Sequence, residues 1–328
     1  MNTQEVHLQD PGLSQVTPCG LSHISIPAKN LAQSKQFFVD VLGGNLTVDG
    51  PALARVQFGN FGIVLAPQAG GATPADAEYP HYAFTVAPED FMGIKQRLEA
   101  FGVPTHDPWG RQSRPHALMY FRDPSGNQFE LFCPSGFNAV PLRLGHRAGG
   151  DYVIDFASLC YGALRAPATN TAELPNVRPG GYNHMTLPVR DMHEAKRFFV
   201  AALGGTVALE RPAHITVVVG GAEIGLSSET RGWTAADAEY PHYTFLVVPQ
   251  DLAALKQRIE AYDVPTSEIW SRNGSDAELY FRDPSGNLWE LCCESGFKGT
   301  VRRRVSAGSN YAPDVTALNY DAWKDPGK

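Results

Sequence analysis

Cysteine is scarce and unpaired in this chain: five residues among 328, Cys19, Cys133, Cys160, Cys292 and Cys293, with no C-x-x-C spacing. An odd count without such pairs argues against a disulfide framework and suits a reduced, cytoplasmic protein, with Cys292 and Cys293 on opposite faces of one strand. Basic charge is also short. There are 27 Lys and Arg against 34 Asp and Glu, a formal charge of −7 and a pI near 5.8, so the footprint of a nucleic-acid binder is missing. The single basic run, Arg302-Arg303-Arg304, reads as a solvated strand face. No apolar stretch approaches the ~20 residues that span a bilayer, and residues 1–12 are too polar for a signal peptide. Neither nucleic acid nor membrane is expected as a partner; a homo-oligomer is compatible with everything in the composition.

What the chain does have is a duplication. Pro-Cys-Gly-Leu-Ser-His23-Ile-Ser-Ile-Pro matches Pro-Gly-Gly-Tyr-Asn-His184-Met-Thr-Leu-Pro at an offset of 184 − 23 = 161, and Ala-Glu-Tyr-Pro-His81-Tyr matches Ala-Glu-Tyr-Pro-His242-Tyr at 242 − 81 = 161. At Phe-Arg-Asp-Pro-Ser-Gly-Asn-x-x-Glu the offset is 290 − 130 = 160, which one deletion explains. The match runs on into tails, Tyr152-x-x-Asp155-x-x-x-Leu159-x-Tyr161 and Tyr311-x-x-Asp314-x-x-x-Leu318-x-Tyr320. A period this long exceeds the roughly 20–50 residues of solenoid repeats, so each copy should own a core. We expect an N-terminal arm (1–17), a module with its tail (18–163), a linker (164–178) and a second module with its tail (179–323).

Each copy alternates strand, helix and three strands, twice over. In the first, residues 21–27 alternate, Asn30 is placed to cap a helix that closes at Gly43-Gly44, and short strands follow near 46–48, 52–58 and 63–66. The cycle restarts with a strand at 82–86, a helix opened by Pro88 and closed by Gly102, and strands near Thr105, 117–121 and 128–133. After each core come glycine-rich joints (148–150 and 307–309) and tails whose Asp155 and Asp314 are placed to cap a helical turn. The tails either cover strand edges or carry Tyr152, Tyr161, Tyr311 and Tyr320 as a lid.

Two imidazoles and a carboxylate recur in both copies: His23, His81 and Glu130; His184, His242 and Glu290. Such a set leaves coordination positions open for substrate. Strand parity puts His23 with Ser25, His184 with Thr186, and Glu130 with Gln128 and Phe132, while Phe129 and Leu131 face a helix. A Glu buried in an otherwise apolar strand costs several kcal/mol unless a cation pairs with it. Spacing leaves open whether each ion is held within one copy or by exchanged ligands. Tyr120 and Tyr280 precede each Glu by ten residues, so a hairpin at Asp-Pro-Ser-Gly sets each phenol near the carboxylate, either toward a metal-bound oxygen or with its tip in solvent. Arg122 and Arg282 are expected to pair with Asp123 and Asp283. His116 and His214, without counterparts, are candidate acid–base or substrate-contacting groups; His7, His106, His146 and His193 read as solvated.

These residues resemble the vicinal oxygen chelate superfamily, which includes glyoxalases, bleomycin resistance proteins and extradiol dioxygenases, over nearly the whole chain. The resemblance implies an α+β fold of two tandem modules, each of paired βαβββ motifs forming a cupped mixed sheet with helices outside. Tyr120-x-x-Asp123-Pro-x-Gly126-x-x-x-Glu130 and its second copy resemble the closing signature of type I extradiol dioxygenases. That implies Fe(II), O₂ and a catechol-like aromatic substrate, with Tyr120, Tyr280 and His116 as catalytic groups. The pattern departs from those enzymes in having Arg111 and Ser271 where they have His, and in keeping ligands in both modules. Glu-Tyr-Pro-His-Tyr and Arg-Asn-Gly-Ser…Tyr-Phe-Arg-Asp-Pro are also similar to fosfomycin-modifying thiol transferases, which implies Mn²⁺ or Zn²⁺, epoxide opening or thiol-adduct isomerisation, and Ser25, Thr186 and His214 as substrate contacts. The ring-cleaving dioxygenase is the leading expectation, the thiol transferase the alternative, and a metal-free drug-binding cup the third.

Overall fold

A computed structural model of the protein describes residues 16–110, 116–137, 154–167, 171–228, 235, 237–303 and 314–328. The arm before residue 16, the glycine joints, Arg111, Tyr152, Tyr311, His7 and His146 lie outside the described residues. The chain divides into two compact units, His23–Leu187, and Met1–Ser22 with Pro188–Lys328.

In the His23–Leu187 unit the order is β1 (Gly20–Ala28, entering at His23), α1 (Leu31–Gln36, continued by a π turn Phe37–Val41), β2 (Asn45–Asp49), β3 (Ala54–Phe58) and β4 (Phe61–Pro67). There follow β5 (His81–Thr85), α2 (Phe91–Ala100), β6 (Ala117–Arg122), β7 (Gln128–Cys133) and β8 (Tyr182–Val189, leaving at Leu187). Strands lie in the orders β1-β4-β3-β2 and β6-β7-β5-β8. β1 runs parallel to β4 and β5 parallel to β7, the remaining pairs being antiparallel. The Pro188–Lys328 unit repeats this with α3 (Met192–Leu203), β9 (Thr206–Arg211), β10 (His214–Val219), β11 (Ala222–Ser228), β12 (His242–Leu246), α4 (Leu252–Ala261), β13 (Trp270–Ser271), β14 (Ala277–Arg282), β15 (Leu288–Cys293) and β16 (Arg302–Arg303). Its orders are β9-β10-β11 and β16-β13-β14-β15-β12. These are tandem mixed-sheet modules of βαβββ motifs flanked by helices.

Strand parity sorts the core from the site. Phe129 and Leu131 are fully buried, and the Phe129 ring meets Phe38 edge-on at 5.4 Å and stacks on Phe84 at 5.7 Å. Trp289 takes the same place in the second unit, against Phe199 and Phe245. Asn30 caps α1 through Gln33 N at 3.1 Å, and Asp191 caps α3 through His193 N and Glu194 N. Two expectations are corrected. The helix placed from Pro88 begins at Phe91, because Asp90 N closes a turn on Ala87 O and the first helical bond runs from Ile94 N to Asp90 O. Near Thr105 there is no strand; the Thr105 hydroxyl bonds Glu99 and Lys95, and a lone bridge joins Trp109 to Leu118.

The Asp-Pro-Ser-Gly-Asn turn is a latch. Asp123 accepts from Ser125 N (2.9 Å), Asn127 N (2.8 Å) and Asn127 Nδ2 (2.8 Å), while Asn127 Nδ2 also donates to Pro27 O and Lys29 N donates to Ser125 Oγ. The end of β1 is thereby tied to the β6–β7 hairpin. Asn287 and Ser285 repeat this on Pro188 O and Arg190 N. Arg122 does not take the role expected of it. Its buried guanidinium donates to five carbonyls, those of Thr73, Pro74, Ala75, Ala77 and Gly126, because the loop entering β5 brings carbonyls, not a carboxylate, to its tip. In the tails Asp155 and Asp314 cap single 3₁₀ turns, Phe156–Leu159 and Val315–Leu318, that pack on Tyr120 and Tyr280.

Candidate metal centre

His81, Glu130 and His184 meet inside the His23–Leu187 unit. His81 opens β5, Glu130 sits on β7 one strand away, and His184 on β8 lies opposite Ala83 of β5 on its other side. Parallel register sets Ala83 beside Glu130, so three adjacent strands aim three donors at one point. One ligand atom from each lies within 4.8 Å of the others. His81 Nε2 is 3.3 Å and His184 Nε2 3.5 Å from Glu130 Oε2. His184 is encoded in the second repeat and His81 and Glu130 in the first, so the three converging donors come from both repeats.

The imidazole tautomers are set from behind. His81 Nδ1 lies 3.2 Å from Glu78 O and His184 Nδ1 2.8 Å from Asn183 Oδ1. A ring that donates Nδ1–H to a fixed oxygen keeps its lone pair on Nε2, the atom aimed at the cluster, and this is how metal-binding histidines are oriented. Glu130 is 2 % exposed, and a carboxylate that buried calls for a partner of opposite charge. The donor set, two nitrogens and an oxygen of intermediate softness, fits a divalent first-row ion.

In the other unit His242 and Glu290 are related alike, Nε2 to Oε2 at 3.1 Å, with His242 Nδ1 on Glu239 O at 2.9 Å. Burial disfavours a charged His242, but the Glu290 carboxylate outweighs it and raises the imidazole above its ordinary value. His23 is buried on β1.

Hairpin register places Tyr120 opposite Glu130 and Tyr280 opposite Glu290. The Tyr120 ring meets His81 at 5.2 Å and its hydroxyl donates to Glu78 Oε1 at 3.3 Å. Burial first, then the nearby carboxylates, pushes that phenol well above its ordinary value, so it stays protonated. His116 is buried on the same strand face, its ring 5.8 Å from Phe132, and Phe132 in turn meets the His184 ring at 5.4 Å. Ser25 and Thr186 are buried, Thr186 opposite His81. His214 bonds Ser227 Oγ and Thr216 Oγ1.

Sequence reasoning missed two residues. Glu78 holds both His81 and Tyr120, and the only signal was its recurrence as Glu239. His106, expected to be solvated, is half-buried and accepts the Tyr120 N–H through Nε2 at 2.9 Å while Nδ1 bonds Asp107 O. Its counterpart is Ser267, whose hydroxyl accepts from Tyr280 N at 2.9 Å; a His matched by a Ser left the shared acceptor role invisible.

Comparison with known proteins bears on the reaction. The family model of the glyoxalase/bleomycin resistance protein/dioxygenase superfamily matches residues 20–131 and again 181–291. The glutathione transferase FosA of Serratia marcescens is 34 % identical over 113 residues, covering 34 % of this chain and 78 % of that protein. The metallothiol transferase FosB of Staphylococcus epidermidis is 28 % identical over 113 residues, covering 34 % and 81 %. Among solved structures, a putative dioxygenase from Bacillus subtilis superposes with a TM-score of 0.61 at 18 % identity, covering 88 % of this chain and 92 % of that one. At that identity it speaks for the tandem fold alone. The expected ring-cleaving dioxygenase, with iron, O₂ and an aromatic substrate, is therefore corrected: the sequence relatives are thiol transferases, and the Tyr-x-x-Asp-Pro-x-Gly-x-x-x-Glu signature misled because its turn is the structural latch described above. No helix among the described residues is long and apolar enough to cross a membrane. With both repeats matched and the two-imidazole, one-carboxylate cluster in place, the chain belongs to the glyoxalase/bleomycin resistance protein/dioxygenase superfamily.

Proposed function

We propose that this protein is a Mn²⁺- or Zn²⁺-dependent thiol transferase that opens an electrophilic ring such as an epoxide. The observation that carries this reading is the 34 % identity to a glutathione transferase in a chain whose His81, Glu130 and His184 donors converge on one point. Those three residues hold the ion. The repeat gives His242 and Glu290 the same task, with His23 as the residue matching His184. A bound ion supplies Lewis acidity toward a substrate oxygen. In the net reaction a thiol S–H is lost, a C–S bond forms, a C–O bond breaks, and the released oxygen gains the proton. Around the ion the chain supplies orientation. Tyr120, neutral and edge-on to His81, offers a hydroxyl beside the cluster, and Glu78 fixes that hydroxyl and the imidazole together. Ser25 and Thr186 are the matching positions for a substrate-contacting hydroxyl, and His116, beside Phe132, is an acid–base group for the first cup. The test is reconstitution of the full chain with Mn²⁺ or Zn²⁺ under argon, followed by glutathione and a phosphonate epoxide. Thiol loss matched by an adduct of summed mass is expected. A chain that binds its ions and consumes no thiol under those conditions rejects the reading.

A further inference from the structure

A cavity of about 250 Å³ lies in the His23–Leu187 unit where the tail passes the Asp-Pro-Ser-Gly latch, lined in part by Lys29, Arg122, Asp123, Ser125, Cys160 and Tyr161. None of His81, Glu130 and His184 lines it. Its volume falls short of the ~300–1,000 Å³ of pockets for drug-sized molecules, so it suits one end of a small ligand whose remainder stays in solvent. The tail carries Cys160 there. Asp155 caps the 3₁₀ turn Phe156–Leu159, Cys160 N bonds Ala157 O, and the Tyr161 hydroxyl donates to Arg122 O at 3.2 Å. Cys160 is thus held on both sides while it stays exposed. The matching position in the second repeat is Asn319.

A second feature of the cavity points to a ligand. Arg122 is fully buried, and beyond its bonds to five carbonyls its Nε finds no acceptor among the described residues. Burial holds this guanidinium below its ordinary value, while Cys160, ahead of Asp123 and Asp76, works to raise it, so thiol and guanidinium lie within electrostatic reach of each other. Lys29 adds an exposed ammonium, its backbone N fixed on Ser125 Oγ. Among the described residues Asp123 is the one carboxylate that lines the cavity, and its oxygens are taken up by Ser125 N, Asn127 N and Asn127 Nδ2. We propose that Cys160 is a site of S-thiolation by a small disulfide that carries carboxylates, with Lys29 and Arg122 attracting those carboxylates and the cavity receiving the half that stays bound. Cys160 releases its proton to solvent, Sγ attacks one sulfur of the disulfide, a new S–S bond forms as the old one breaks, and the departing thiolate takes up a proton. Cys160 is oxidised, the small disulfide is the oxidant, and excess thiol reverses the step. The proposal rests on neither the metal nor the transferase reading.

The test exposes the full-length, reduced chain at low salt to glutathione disulfide or to cystamine, a cationic disulfide, and follows each adduct by peptide mass mapping. Cys19, also exposed, is the internal reference. Cys160 is expected to gain glutathione about 10-fold faster than Cys19, because a cationic site raises the local concentration of an anion by roughly that factor or more, and to lose this advantage with cystamine. Lys29→Glu, a change at an exposed position, should bring glutathione labelling of Cys160 down toward the rate at Cys19 with the thermal midpoint unchanged. A Cys160 that gains glutathione no faster than Cys19, or that keeps the same advantage with both disulfides, overturns the proposal.

Discussion

The two halves of this protein share a frame and differ in what the frame presents. Around Glu130 the chain places Ala83, Leu118 and Phe132; around Glu290 it places Thr244, Glu278 and Cys292. The Asp-Pro-Ser-Gly-Asn latch, the tyrosine opposite the glutamate, the Nδ1 bond to a glutamate carbonyl and the capped 3₁₀ turn are the same in both. Duplication has thus kept what orients His81, Glu130, His242 and Glu290 and altered the residues beside them. Positions that orient a metal tolerate little change because a small misplacement loses coordination, whereas lining positions change specificity without disturbing the fold.

The largest separation of the halves should come from the ligands themselves. Glu130→Ala and Glu290→Ala are each expected to lower bound zinc from two ions per chain to one, measured by elemental analysis after dialysis, and the double variant to none; a chain that keeps both ions in either single variant would mean that the carboxylates are not ligands. Arg122→Met comes next. It removes a buried cation from five carbonyls and leaves the loop before His81 without donors, so a loss of about 3–5 kcal/mol is expected in urea unfolding. Arg282→Met should act on the other half alike, through Gly286 O, Ala235 O and Ala238 O. Equal midpoints for wild type and both variants would deny the arginines that role.

A finer difference lies behind the two carboxylates. Thr244 Oγ1 donates to Glu290 Oε2 at 3.1 Å, and Ala83 holds the matching place beside Glu130. Removing such an outer hydrogen bond typically costs about 10- to 100-fold in metal affinity. Thr244→Ala should therefore weaken one of two zinc affinities by roughly that factor, read by competition with a chromophoric chelator, and leave the other alone. Acid should also tell on His242. Its proton is held above the ordinary imidazole value by Glu290, so binding an ion below that value must displace it, and affinity should fall as pH drops through and below that range. A flat affinity between pH 8 and 5 would exclude His242 as a ligand.

Much of this frame was legible in the residues. The 161-residue offset showed the duplication that the family model also matches, over residues 20–131 and 181–291, strand parity put Glu130 and Phe129 on opposite faces, and Asn30 and Asp155 were read as caps. The reaction was not legible, because Tyr-x-x-Asp-Pro-x-Gly-x-x-x-Glu encodes a hairpin and its latch, and a hairpin serves any chemistry held at its base. Nor was the exchange of His184 into the first repeat's unit, since both repeats carry the same ligand types at matching spacings and spacing cannot tell partners apart. Arg122 went astray for a different reason: an arginine beside an aspartate in sequence suggests an ion pair, but β6 ends at Arg122, the Asp123 carboxylate is taken up by Ser125 and Asn127 in the turn, and the guanidinium is met by the carbonyls of the loop from Thr73 to Ala77.

His106 and Ser267 give the smallest test of the shared frame and the most discriminating. Both accept the backbone N–H of the cup tyrosine, one through an imidazole nitrogen and one through a hydroxyl. If acceptance is all that matters, His106→Ser transplants the second unit's solution into the first and should cost no more than about 1 kcal/mol, whereas His106→Ala leaves the Tyr120 N–H without its acceptor and should cost about 1–3 kcal/mol. Burial lowers the His106 pKa below its ordinary value, so in the folded chain the ring stays neutral to lower pH than in the unfolded chain. Between the folded and unfolded values the unfolded state binds the extra proton, and stability should decline as pH falls through that window in wild type but not in His106→Ser. A serine variant that loses as much stability as the alanine variant would show that the imidazole does something in the first cup that a hydroxyl cannot, and the two halves would then differ in frame as well as in lining.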